Sequence, residues 1–183
     1  MSRIPAIDLA QATGRTKDLL DNVQKSLGVV PNLFRVAAQS PAALEGLLSL
    51  SGALSHGRLS HRLGEQVALT VAERNGCNYC LSAHTLLGKK AGLTEADVTQ
   101  ARDARAVDAK AEAALSFAAR VVDQAGHVSD AEIEAVRAAG FNDGEIVELV
   151  AATVLNIFTN TLNNVARTDI DFPAVPASAR AAH

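Results

Sequence analysis

Residues 60–92 read SHRLGEQVALTVAERNGCNYCLSAHTLLGKKAG, a stretch that resolves into two helices meeting at Asn75-Gly76. Ser60 is a helix N-cap, and the run after it carries through Arg74, where Asn75-Gly76 stops it. A second helix opens at Cys77 or Asn78 and ends at Gly92. That start puts both cysteines in the first turn of the second helix. Free N–H groups and the helix dipole there favour negative charge, so a thiolate forms at lower pH than for a free cysteine. His84 stands four residues beyond Cys80, one turn along the same face, within reach of the sulfur directly or through one water. An imidazole so placed takes a proton from the thiol, or gives one to a departing oxygen, near neutral pH.

Glu65 enters through topology. It lies eleven residues before Gly76 and His84 eight after it, so in an antiparallel pair both stand roughly 12 to 17 Å from the turn at about 1.5 Å per residue. A carboxylate at that height orients the imidazole and raises its basicity. Glu73 is the rival carboxylate on the same helical face, but its place at the helix end reads as a solvated charge.

The rest of the chain is punctuated in the same way. An amphipathic run from about Thr16 to Leu27 stops at Gly28, Val29-Val30-Pro31 forms an extended break, and a short segment starts near Asn32. Ser40-Pro41 opens a helix through about Ser55. Thr94 with Asp97, Ser129 with Glu132 and Asn142 with Glu145 each set a cap residue three positions before an acid. The junctions 90–97 and 138–145 share the order Gly, apolar residue, cap, acid, which is how helices commonly join; a weak internal duplication is the other reading.

Residues 108–125 form an Ala-rich helix stopped by Gly126. The last helix runs from about Asp143 to Ala166, with Ile146, Val150, Val154, Ile157, Phe158, Leu162 and Val165 at helical spacing. It also carries a polar stripe, Thr153, Asn156, Asn160 and Asn163, read as a subunit interface, with an Asn lining the pocket as the second possibility. No series of runs alternates as strands do. The fold class is therefore all-α, a compact single-domain helical bundle over residues 1–172, and 173–183, with two Pro and small side chains, is expected to be a flexible tail.

Composition agrees and removes several function classes. The 183 residues include 35 Ala and 21 Leu, both strong helix formers, while aromatics are 3%. So few rings cannot build a base-stacking platform, and a net charge of −3 with no basic cluster beyond Lys89-Lys90 offers no footprint for nucleic acid. The N-terminus has no apolar core of signal-peptide length, and Glu148, Thr153 and Asn156 interrupt the most hydrophobic stretch. The expectation is a soluble cytoplasmic protein, with neither a membrane nor nucleic acid as partner. In a reducing compartment a lone Cys-x-x-Cys is redox-active or metal-binding more often than a staple.

Other chemistries fit the pair less well. Zinc would need His84 and one of Glu65, His56 or His61 beside the two cysteines, whereas structural zinc usually employs more cysteines. Covalent haem attachment requires His directly after the second Cys, and Leu81 stands there. A thioredoxin domain requires a βαβ frame that is missing. Tyr79, the sole Tyr, reads as a packing or pocket-wall residue.

Glu65, eleven intervening residues, Cys77-x-x-Cys80, three more and His84 together resemble the active-site signature of the AhpD-like alkyl hydroperoxidases in the carboxymuconolactone decarboxylase-like superfamily. The specific likeness covers about residues 60–92, and residues 156–164 with Asp171-Phe172-Pro173 look like the peroxidase-related branch. The resemblance implies an all-helical, homo-oligomeric protein that reduces hydroperoxides with an external dithiol or thiol-redox protein as reductant, without metal or cofactor. By position, Cys80 would be the attacking thiolate, Cys77 the resolving thiol, and His84 and Glu65 the proton relay. Some members carry a second histidine between the cysteines, where Tyr79 stands here. Two other functions share the fold: a dithiol adaptor that reduces a peroxiredoxin, and a lactone-acid decarboxylase, against which the dithiol counts.

Overall fold

The computed structural model describes residues 2–178 and contains nine α-helices and no strand among them. They are α1 (Gly14–Leu27), α2 (Asn32–Ala37), α3 (Pro41–Ser55), α4 (His61–Arg74), α5 (Asn78–Lys90), α6 (Glu95–Arg102), α7 (Ala109–Asp123), α8 (Asp130–Ala138) and α9 (Asp143–Ala166). The cap signals account for the boundaries. Ser40, Ser60 and Asp108 each accept a backbone N–H three residues on, and Thr94/Asp97, Ser129/Glu132 and Asn142/Glu145 close reciprocal capping boxes. The two similar junctions are alike in geometry too. Gly92 and Gly140 take left-handed backbone, and the next residue's N–H reaches back to Gly88 O or Val136 O, which ends both helices by the same paired bonds.

α4 is the centre of the bundle. Every residue from Glu65 to Glu73 is buried, because α5, α6, α7 and α9 pack around it. Its apolar positions Val67, Leu69, Val71 and Ala72 join Leu81, Ala101, Ala114, Leu115 and Leu149 in an aliphatic core. Thr70 is buried with a partner: its Oγ1 donates to Ala101 O at 2.6 Å, tying α4 to α6. A second cluster, built from Leu19, Leu20, Val23, Leu44 and Leu47 of α1 and α3, is roofed by Leu155 and Leu162 of α9. By length and composition α9 could span a bilayer, but here it is the helix that joins the two clusters.

Two sequence readings are corrected. Glu73 is buried rather than solvated: Arg102 of α6 donates to its Oε2 at 2.7 Å and Ser178 N–H to its Oε1 at 2.7 Å. The polar stripe of α9 is likewise no subunit interface. Thr153, Asn156, Asn160 and Asn163 are buried within the chain, while Val147, Val150, Val154 and Phe158 stay exposed. Residues 173–178 of the segment read as a tail lie along α5 and α4, held through Ser82, Asn78 and Glu73, and residues 179–183 fall outside the described residues.

Candidate active site

The α4–α5 turn fixes the sulfurs. Gly76 adopts φ +59, a backbone that favours glycine, so its N–H bonds Glu73 O and the N–H of Cys77 bonds Ala72 O. Cys77 thereby closes α4, and it opens α5 as well: its carbonyl accepts from Leu81 N and its Sγ caps the helix by accepting the Cys80 N–H at 3.3 Å. Backbone bonds on both sides thus hold Cys77 in place. The two sulfurs are 2.6 Å apart, with Cys77 donating to Cys80.

Both cysteines are free and buried. Burial pushes the Cys80 thiol up, but the Cys77 hydrogen bond, the charge of His84 and the amides of Asn163 and Asn160 outweigh it and bring it down to about 7. Cys77 is driven far upward, first by the hydrogen bond it gives Cys80, then by burial and the charge of Cys80. Of the two, Cys80 is the sulfur that gives up its proton more readily.

α5 runs back along α4 closely enough to join His84 to Glu65. The imidazole Nδ1 is 2.9 Å from Glu65 Oε2, and His61 Nε2 is 3.5 Å from the other carboxylate oxygen. Gly88, one turn further along α5, makes room for Leu93: a Cβ there would meet Leu93 Cδ1 at 2.7 Å, whereas Glu65 Cβ at 3.8 Å would be an ordinary contact. Burial lowers the His84 pKa, but the hydrogen bond and charge of Glu65, with Cys80 behind them, hold it above the ordinary 6.5. The site can therefore store a thiolate beside an imidazolium near neutral pH. All four residues singled out from the sequence, Glu65, Cys77, Cys80 and His84, come together in this one region at the start of α5 and the facing side of α4.

Tyr79 is a packing residue. Its hydroxyl accepts the Leu33 N–H at 3.0 Å, its ring meets Phe172 edge-on at 5.5 Å, and burial pushes its phenol well above the ordinary 10. Among the described residues no three His, Cys, Asp or Glu side chains are grouped to hold a metal ion. Two surface clefts of about 500 and 530 Å³ lie elsewhere, the first lined by Leu63, Gln66, Lys110 and Phe141, the second by Ala113, Phe117 and Arg120.

One contact matches the second reading of the α9 stripe, an Asn at the site, though the sequence did not say which Asn or what it touches. Asn163 Nδ2 donates to Cys80 Sγ at 3.3 Å across 83 residues of chain, and Asn75 Nδ2 ties the turn to Asn160 Oδ1 at 3.0 Å. The only local signal was the spacing of Asn160 and Asn163 on one face of α9.

Residues 41–124 match the sequence profile of the carboxymuconolactone decarboxylase family. No curated protein matches the chain by sequence. Solved structures share its fold. One is a peroxidase-related protein from Ralstonia eutropha JMP134, described as an alkylhydroperoxidase AhpD core, with TM-score 0.83 and 24% identity over 93% of this chain and 92% of that one. Another is a peroxidase-related protein from Silicibacter sp. TM1040, with TM-score 0.77 and 23% identity over 98% and 95%. The debrominase Bmp8, in complex with 2,3,4-tribromopyrrole, superposes with TM-score 0.77 at 16% identity over 92% and 91%. Residues 41–124 are thus similar to the carboxymuconolactone decarboxylase family, and the chain has the fold of the AhpD-like structures.

Proposed function

We propose that the protein is a thiol-dependent hydroperoxide reductase working through Cys80 and Cys77. The observation that carries this reading is a buried pair of free thiols in mutual contact, with Asn163 donating to Cys80, beside the hydrogen-bonded Glu65–His84 pair that favours the Cys80 thiolate. A decarboxylase has no use for a sulfur so poised. The Cys80 thiolate attacks the terminal oxygen of a hydroperoxide. A sulfur–oxygen bond forms, the O–O bond breaks, and the sulfur loses two electrons to the peroxide. His84 gives its proton to the leaving alkoxide, which departs as the alcohol, and Glu65 steadies the imidazole. Cys80 is left as a sulfenic acid. The Cys77 thiol condenses with it, releasing water and closing a disulfide, and an external dithiol reduces both sulfurs again.

The same reading makes the chain a homo-oligomer of a reducing, cytoplasmic compartment, with the exposed apolar face of α9 as the support for self-association. The test is turnover of cumene hydroperoxide with dihydrolipoamide by the wild type, Cys80→Ser and Cys77→Ser. Both substitutions are expected to abolish cycling, and a sulfenic acid is expected to be trapped on Cys80 only when Cys77 is absent. Undiminished turnover in either variant, or stoichiometric zinc in the purified protein, overturns the assignment.

A further inference from the structure

Asn160 and Asn163 are two of the most enclosed polar side chains in the molecule, 0% and 3% exposed. Each has one amide end engaged and one free. Asn160 Oδ1 accepts from Asn75 and Asn163 Nδ2 donates to Cys80 Sγ, whereas Asn163 Oδ1 has no partner among the described residues, and Asn160 Nδ2, near enough to Cys80 to lower its pKa, completes no hydrogen bond there. Orphaned polar atoms at such depth are uncommon and call for a cause. Here both belong to carboxamides three residues apart on the same face of α9, and Asn163 Oδ1 shares its carboxamide with the nitrogen that touches Cys80. The free ends are one acceptor and one donor. A thiolate has no hydrogen to give the acceptor, but a sulfenic acid has both an O–H and an oxygen lone pair.

We propose that Asn163 and Asn160 form a cradle for the oxygen that Cys80 acquires: Asn163 Oδ1 accepts the sulfenic O–H and Asn160 Nδ2 donates to its oxygen. The proposal rests on the hydroperoxide reading above. In the resting enzyme the Asn163 N–H group stabilises the thiolate, and the two carboxamides lower the Cys80 pKa together. After attack on the peroxide they hold the hydroxyl on sulfur, shielding it from a second oxidation until Cys77 condenses with it. The orphaned ends are thus satisfied in the oxidised intermediate. Asn163 touches the reacting atom and is a catalytic residue in this scheme. Asn160 is also held from the far side by Asn75, which fixes the cradle to the turn that carries Cys77.

The experiment uses the full chain in a Cys77→Ser background, where the sulfenic acid has no thiol to condense with. Asn163→Leu removes donor and acceptor, and Asn163→Asp keeps an acceptor oxygen but removes the donor. Two readouts are followed for each: the pH profile of iodoacetamide alkylation of Cys80, and the lifetime of the dimedone-trappable sulfenic acid after one equivalent of cumene hydroperoxide. With Leu, the alkylation inflection is expected to rise and the lifetime to fall about tenfold, the factor carried by one hydrogen bond of ordinary strength. Asp is expected to raise the inflection while preserving the lifetime, a split that a merely structural role would not produce. Unchanged sulfenic acid lifetime in Asn163→Leu overturns the cradle alone. Absence of any sulfenic acid in the Cys77→Ser parent overturns the hydroperoxide reading and the cradle with it.

Discussion

Glu65 acts on Cys80 only through His84, and that dependence can be measured. The carboxylate holds the imidazole in its protonated form, and the imidazolium in turn lowers the Cys80 thiol, so removing the first charge weakens both effects. Glu65→Gln keeps the shape and a hydrogen-bonding oxygen but not the charge. The His84 pKa then falls, because burial is no longer opposed by a carboxylate, and the Cys80 inflection climbs from about 7 toward the ordinary 9.0. A pH profile of iodoacetamide alkylation reads this directly: the inflection is expected on the order of one unit higher, with the plateau rate at high pH preserved. An unmoved inflection would detach Glu65 from the thiol. The same four residues show what a sequence discloses at this scale. Cys77, Cys80 and His84 are related by helical spacing alone, and Glu65 by the heights of two helices about one glycine turn. Glu73 obeyed no such local rule. Its partners, Arg102 and Ser178, lie 29 and 105 residues away, and only the folded chain brings them over it. Asn163 is hidden for the same reason, with Cys80 as its distant partner.

Among the elements, α9 departs furthest from its hydropathy pattern. An amphipathic helix is read on the premise that its apolar stripe faces the core. The side of α9 facing inward meets the Cys80 sulfur and the Asn75 side chain, which are polar, so a polar stripe fits there. The other inward groups are satisfied within the helix: Thr153 Oγ1 donates to Leu149 O at 2.7 Å and Asn156 Nδ2 to Ala152 O at 2.9 Å. The extent of α9 was nevertheless legible, since its N-cap and acid at Asn142 and Glu145 are local signals; which face turned inward was not. The inversion leaves Val147, Val150, Val154 and Phe158, at spacings of three, four and four, on one exposed face, with Val147 at 67% and Val154 at 49% exposure. Fully covering a Val or Phe side chain stabilises by about 1.5–3 kcal/mol, so a second copy seated on this face gains from each of the four, and charges at Val154 and Phe158 would oppose it. Light scattering is expected to give a mass above 19.0 kDa for the wild type and close to 19.0 kDa for the Val154→Lys, Phe158→Asp double variant. A wild type that already runs as a monomer removes this face as an interface.

The termini bind the molecule together as a whole. Arg3 N–H reaches Ala166 O at the end of α9, and after Arg167 the chain turns back across α2, α5 and α4. Asp171 accepts the Asn32 N–H, Phe172 meets Tyr79, Val175 N–H bonds Ser82 Oγ, Ala177 N–H bonds Asn78 Oδ1 and Ser178 N–H bonds Glu73, while Arg102 reaches Pro176 O. This strap covers the helix that carries the cysteines. A chain ending at Asp171 loses four of these hydrogen bonds and the Phe172 contact, each bond worth about 1 kcal/mol before the entropy of the freed segment is returned. The net loss is on the order of 2 kcal/mol, which lowers Tm by roughly 4–8 °C for a chain of this size. The pH dependence singles out one of the bonds. Burial raises the Glu73 pKa, but the Ser178 and Arg102 hydrogen bonds outweigh it and hold the carboxyl below its ordinary 4.5. A depressed pKa means stability that is fully present above 4.5 and is lost as the pH falls through the lower folded value. Removing Ser178 surrenders part of that stability at neutral pH and nothing once Glu73 is protonated in both forms. In urea titrations from pH 7 down to pH 3, the gap between the full chain and the truncated one is therefore expected to be constant above about pH 5 and to narrow below it, without closing, because the bonds from Ser82, Asn78 and Arg102 do not titrate there. A gap that stays constant to pH 3 would show that Ser178 contributes nothing through Glu73.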